Sequence, residues 1–202
     1  MMYPSDHVLE PWFRDDDGNE QPATWTAPLR WNRLCTESGI RESVLVGTGG
    51  NDLFDLNRPD RFRRRFWELV NNTPALDWMI LTQPKKLILA EADRDFPPNV
   101  SIGFRVEGGA DVLAVSRIRW SEVIEPQRMV FLWIEEEPVA PLYTEKQLDT
   151  MNVQWVIAPT PESLASLYTL SAITIAEKLK VPFFACDGRV LNTPSYVRKK
   201  GI

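Results

Sequence analysis

Carboxylate side chains follow several short apolar runs of this sequence, and carboxylates are suited to metal binding or proton transfer. Glu135 and Glu137 close one run, Glu107 follows another, and Asp187 follows the last. Alternate residues of a strand share a side, so Glu135 and Glu137 are expected to point the same way. With Glu107 and Asp187 they could hold a divalent cation or supply a general base. The alternative is a solvated strand end, in which Arg105 provides the counter-charge and an ion-pair network replaces a metal site.

A glycine-rich turn after the first apolar run is the second candidate for chemistry. Glycines at such a turn let backbone N–H groups approach a carboxylate or phosphate closely. The same composition also suits a tight turn that needs positive φ. Because ligands of parallel α/β folds sit at the carboxyl ends of the strands, the turn and the other strand ends are expected on one face. The predicted ligand-binding residues are Gly47, Thr48, Gly49, Gly50, Asn51, Asp52, Thr82, Gln83, Arg105, Glu107, Glu135, Glu137 and Asp187, with no catalytic or metal residue assigned.

The sequence contains few residues that could form a catalytic pair, a metal site or a disulfide framework. His7 is the only histidine, and it lies outside the apolar runs, so a Ser-His or Cys-His catalytic pair is not expected. Cys35 and Cys186 are too few for a disulfide framework or a zinc or iron–sulfur site, so both are interpreted as reduced thiols, and Cys186 as a packed one. The net charge of -5 does not favour nucleic acid. No signal peptide or membrane span is predicted, which indicates a cytoplasmic protein.

The elements that position these residues are predicted from apolar periodicity. Short apolar runs separated by helical stretches are typical of a parallel sheet with crossover helices. Residues 1–30 show neither helical nor strand periodicity. They are predicted to be an irregular leader packed on a single domain over 31–202. Predicted strands cover 44–46, 78–81, 100–104, 129–134, 153–157 and 181–185; predicted helices cover 59–70, 84–90, 110–115 and 161–179, with a terminal turn at 194–200.

Several short pieces lie in order near these strand ends, between Pro28 and Gly188. They are Pro28-Leu29-Arg30-Trp31, Asn51-Asp52-Leu53-Phe54-Asp55, Leu81-Thr82, Pro98-Asn99-Val100 with Gly103 and Val106-Glu107, Glu137-Pro138, Trp155-Val156-Ile157, and Val181-Pro182-Phe183-Phe184. In this order they resemble a phage-associated family of unknown function whose full members look like radical-SAM enzymes. The resemblance implies an α/β fold: a partial, radical-SAM-like, TIM-barrel-derived parallel barrel of about six strands with crossover helices.

The departures from that family concern its chemistry. Full members carry a cysteine cluster suited to an iron–sulfur centre, whereas here Trp25-Thr26 runs almost directly into Pro28-Leu29. Gln83 stands where the family has Lys, and Asp187 lies in an ending that contains Lys in the family. The resemblance therefore implies a shortened member without a cluster, and adenosylmethionine would bind weakly without that metal centre.

The predicted function is a non-catalytic phage protein in the host cytoplasm that binds a protein partner or a small nucleotide-like ligand. The alternative is a cluster-independent enzyme that uses the acidic strand ends, or one subunit of a split enzyme. Radical-SAM activity from this chain alone is not expected.

Overall fold

The computed structural model describes residues 8–9, 22–47, 52–57, 60–83, 96–106, 130–134, 153, 155–159, 175–176 and 183–186. They include two helices and seven strands, and residues 175–176 are also helical. In chain order the elements are β1 Val8–Leu9, α1 Pro22–Ser38, β2 Glu42–Val46, α2 Asp60–Asn71, β3 Leu76–Thr82, β4 Val100–Val106, β5 Val130–Ile134, β6 Trp155–Pro159 and β7 Phe183–Cys186.

All described strands form one parallel sheet in the order of the chain, from β1 to β7. A doubly wound sheet reverses its strand order at a switch point, whereas a sheet that winds in one direction curls toward a barrel. The sheet is curled as part of a barrel, so the predicted α/β partial-barrel architecture is confirmed. The six predicted strands correspond to β2 through β7, with bounds that shift by one or two residues.

Helix α2 forms because its apolar residues recur at helical spacing, as predicted for 59–70. Its buried face packs on the sheet, where the rings of Phe66 and Trp78 meet edge to face with centroids 5.3 Å apart. Such pairs add about 0.5–1.5 kcal/mol to the burial of the rings. The buried residues of the helix are Phe62, Phe66, Trp67, Leu69 and Val70.

Strand β1 and helix α1 lie in the segment that the sequence predicts to be irregular, so this prediction is wrong for 8–9 and 22–30. Pro28 inside α1 and a weak apolar periodicity hide the helix. Tertiary contacts stabilise it instead, since Trp25 and Cys35 are buried in the core. Helix α1 is followed by Gly39 at φ 68°, the left-handed conformation common after helix ends.

The two faces of the sheet have different surroundings. Alternate residues of β2, β3 and β4 belong to the core shared with α2, among them Val46, Ile80 and Phe104. The residues between them, such as Leu45, Leu81 and Arg105, are buried on the other face. In a curled parallel sheet covered by helices, this other face is the concave one.

The remaining predicted elements lie mostly outside the described residues. This holds for the predicted helices at 84–90 and 110–115 and for the turn at 194–200. Of the predicted helix at 161–179, Ile175 and Ala176 are described, and both are helical and buried. Among the described residues, no helix combines the length and the apolar character needed to cross a membrane.

Candidate functional site

Five of the predicted site residues are described, and they lie at the carboxyl ends of three neighbouring strands. Gly47 follows β2 and Asp52 lies in the next described segment. Thr82 ends β3, Gln83 follows it, and Arg105 lies near the end of β4. The structure thus brings the described members together at one edge of the sheet, which we call the carboxyl edge. Outside the described residues lie Thr48, Gly49, Gly50, Asn51, Glu107, Glu135, Glu137 and Asp187.

The Asp52 carboxylate joins two of these chain segments. The Thr82 hydroxyl donates to its Oδ1 at 2.9 Å and lies 3.1 Å from its Oδ2, and the backbone N–H of Gln83 donates to Oδ2 at 2.9 Å. Asp52 and Thr82 are buried, with 5% and 2% of their surface exposed. Burying a carboxylate is costly unless donors replace its water, and these bonds supply that replacement. Asp52 therefore ties its loop to the end of β3.

The sequence around Asp52 explains how the carboxylate is presented. Its Oδ1 also accepts the N–H of Phe54 at 2.9 Å, two residues further along, which is the Asx turn that aspartate favours. The Phe54 ring is fully buried and meets Phe96 edge to face, with centroids 6.3 Å apart. The turn thus holds the carboxylate while its apolar neighbour fixes the turn to the core.

Arg105 and Gly47 form the second connection at the carboxyl edge. The Arg105 side chain lies on the concave face with 8% of its surface exposed, and its Nη2 donates to the Gly47 carbonyl oxygen at 2.5 Å. This bond spans from β4 to the end of β2 across the intervening strand β3. A guanidinium thus lies beside Gly47, the first residue of the glycine-rich stretch.

Glycine is the residue type that fits position 47. Its φ is 97°, which side chains of L-amino acids rarely tolerate. A Cβ at this position would also overlap the backbone carbonyl oxygen of Leu81 on β3. Gly47 thus has the positive φ that the tight-turn interpretation requires, while residues 48–51 lie outside the described part of the chain.

The opposite, amino-terminal edge holds a network that sequence reasoning missed. Arg41 precedes β2, and its Nε and Nη2 donate to Asp77 Oδ1 at 2.9 and 2.6 Å. The same guanidinium donates to the carbonyls of Pro74 and Leu76 at 2.9 and 3.2 Å. Nothing in the local pattern singles out Arg41, because its partners lie 33–36 residues away. These contacts connect the start of β2 to the start of β3. Arg41 can therefore serve as a control for Arg105 in mutagenesis.

Cys35 does not belong to the site. It lies in α1 with 3% of its surface exposed. Burial raises the pKa of its thiol, and the nearby Glu42 raises it further. A thiol of this kind is a weak nucleophile at neutral pH.

The donor set does not fit an iron–sulfur cluster. Such a cluster takes several thiolates, and the sequence contains two cysteines, of which the buried Cys35 lies in α1 and Cys186 lies in β7. Within the described part of the chain, no three His, Cys, Asp or Glu side chains gather closely enough to hold a metal ion.

The fold is that of an α/β protein whose parallel strands follow one another in chain order. Its carboxyl edge is polar, and hydrogen bonds within the chain join the described residues there. The chain belongs to a family of proteins of unknown function, DUF5131, whose profile matches residues 6–163 of the 202. No curated protein and no solved structure matches the chain significantly.

Proposed function

We propose that the chain is a non-catalytic binding protein that takes a small nucleotide-like ligand at the carboxyl edge of its sheet. The observation that carries the proposal is the Arg105 guanidinium, buried on the concave face and held against the carbonyl of Gly47. A guanidinium offers several donors in a rigid fork, and a carboxylate or phosphate is the ligand group that matches it. The glycine-rich turn that starts at Gly47 adds backbone donors to the same edge in this proposal.

The internal bonds of the carboxyl edge favour binding over catalysis. A general base must be able to reach the substrate's proton, whereas Asp52 accepts bonds from Thr82, Gln83 and Phe54. These bonds hold the Asp52 segment against the end of β3, and such preorganisation lowers the entropic cost of binding a ligand. The resemblance to radical-SAM-like phage proteins supports the same function, because the fold positions are kept while the cysteine segment is missing. In this proposal the protein acts in the host cytoplasm.

The ligand test uses adenosylmethionine as the probe in isothermal titration calorimetry. We expect weak binding to the unaltered chain and a loss of at least about tenfold in Arg105→Met, the value of one charge-assisted hydrogen bond. Arg41→Met is the matched control, because it removes the same guanidinium from the opposite edge of the sheet. If Arg105→Met fails to fold, Arg105→Lys replaces it, since lysine keeps the charge and loses the fork.

Two results would contradict the ligand site. Equal loss of affinity in Arg105→Met and Arg41→Met would show that both substitutions act through stability. Unchanged affinity in folded Arg105→Met would show that the ligand does not bind at this edge. The enzyme alternative predicts instead that Glu135→Ala/Glu137→Ala abolishes the protein's phenotype without changing its melting temperature. A folded double variant that keeps the phenotype would reject catalysis by those glutamates.

A further inference from the structure

Helix α2 carries a positive charge that the rest of the chain does not share. Its twelve residues contain four arginines against two carboxylates, whereas the whole chain has a net charge of -5. Arg63 pairs with Asp60 near the start of the helix. Arg61, Arg64 and Arg65 are exposed and follow one another at i, i+3 and i+4, so they lie on one side of the helix. We call these three residues the arginine stripe.

The arginine stripe is partly ordered by its own surroundings. The Arg65 guanidinium lies 4.2 Å from the ring centroid of the buried Trp25 in α1, and that of Arg61 lies 5.2 Å from the ring of Phe62. Among the described residues, no carboxylate forms an ion pair with Arg61 or Arg64, although Glu68 is one turn from Arg64. Stacking on an aromatic ring reduces the freedom of a guanidinium, so it loses less entropy when it binds a partner.

The dimensions of the arginine stripe favour one kind of partner. From Arg61 to Arg65 the helix rises about 6 Å, which is close to the spacing of two carboxylates one helical turn apart. Proteins that bind nucleic acid commonly neutralise about 6–10 phosphates, more than three guanidiniums can reach. A short acidic helix needs only two or three guanidiniums, so it fits the length of the arginine stripe.

We propose that the arginine stripe is a docking surface for an acidic helical segment of a protein partner, with carboxylates three or four residues apart. The site lies on a helix at the outer layer of the fold and is separate from the ligand site at the carboxyl edge. Guanidinium–carboxylate pairs give it both affinity and register, because each pair has a preferred bidentate geometry.

Fluorescence anisotropy tests this surface with a labelled, alanine-based helical peptide that has glutamate at every fourth position. We expect the peptide to bind the unaltered protein, and Arg61→Gln/Arg64→Gln to weaken binding about fivefold, which corresponds to about 1 kcal/mol. The matched control is Arg30→Gln/Arg33→Gln, which removes the same charge from exposed positions of α1 and should change affinity less than about twofold. All four positions are exposed, so the melting temperatures should stay close to that of the unaltered chain.

Three outcomes would overturn the inference. Equal weakening in both double variants would show that only net charge matters, and absence of peptide binding to the unaltered protein would remove the surface. Tighter binding of a single-stranded oligonucleotide of equal charge, lost in Arg61→Gln/Arg64→Gln, would assign the arginine stripe to nucleic acid instead.

Discussion

A carboxylate in a protein interior needs donors that replace its lost water, and the donors of Asp52 come from two separate segments. Thr82 and Gln83 are 30 and 31 residues away in sequence, whereas Phe54 is a local partner. The predicted role of Asp52 as a ligand-binding residue stays a prediction. Its described bonds make it a positioning residue, because they tie its own segment to the end of β3.

Asp52→Ala should lower the free energy of unfolding by about 3 kcal/mol, since it leaves buried donors without their acceptor. Asp55→Ala is the control, because Asp55 accepts the N–H of Asn57 at 2.9 Å in an exposed Asx turn of the same kind. Water can replace that acceptor, so the control should lose about 0.5–1 kcal/mol. Urea unfolding followed by tryptophan fluorescence measures both losses. Equal losses would mean that the contacts to Thr82 and Gln83 contribute nothing, and Asp52→Asn serves if the alanine variant does not fold.

The buried thiol of Cys35 should make stability fall at alkaline pH. The folded-state pKa is raised above the ordinary value of 9.0, so the folded protein keeps a proton that the unfolded chain has lost. The contribution is therefore fully present below the unfolded-state pKa and is lost as pH rises through the folded-state pKa. As pH rises past the ordinary pKa of 9.0, the unaltered chain should lose more unfolding free energy than Cys35→Ala. Parallel losses in the two proteins would show that the thiol does not titrate differently on folding.

At the scale of elements, two glycines with positive φ follow α1 and β2, and they differ in what surrounds them. A Cβ placed on Gly39 would have nothing within 4 Å, whereas a Cβ on Gly47 would meet the backbone of Leu81. Both glycines satisfy a left-handed backbone, but only Gly47 also allows two strands to approach each other.

Gly39→Ala should therefore cost about 1 kcal/mol, the penalty for a left-handed alanine. Gly47→Ala should cost at least about 3 kcal/mol, since the strained backbone and the overlap with Leu81 add. Urea unfolding of the two variants measures the difference, which combines the overlap with Leu81 and the greater strain of a side chain at φ 97°. A Gly47→Ala variant as stable as Gly39→Ala would mean that β2 and β3 move apart at little cost.

The elements also show which patterns can be predicted from sequence. Helix α2 was predictable because its apolar residues repeat with helical period and its charges occupy the other side. Helix α1 was not, since Pro28 interrupts it and Leu29 and Leu34 are exposed, with 46% and 44% of their surface accessible. Its stability depends on Trp25 and Cys35 reaching the core, which is a tertiary fact.

At the scale of the whole molecule, the cysteine content limits the chemistry that the barrel can support. We expect anaerobic reconstitution with iron and sulfide to leave the isolated chain without a stoichiometric cluster, because two cysteines, one in α1 and one in β7, cannot supply four thiolates. Iron and sulfide analysis after desalting measures this. Cys35→Ala is the control for adventitious binding and should give the same low iron content. Incorporation of four irons per chain would contradict the prediction.

The amino-acid sequence by itself determined the local features of this protein. Apolar runs predicted β2 through β7, and the residues after each run predicted a polar edge, because strand burial and turn composition depend on neighbouring residues. Only the tertiary structure decided that Asp52 turns toward Thr82 and that Arg105 reaches Gly47, 58 residues away. Those contacts depend on the register and curl of the sheet, which arise from packing between distant segments. The stacking of Arg65 on Trp25 of α1 likewise depends on packing between distant segments.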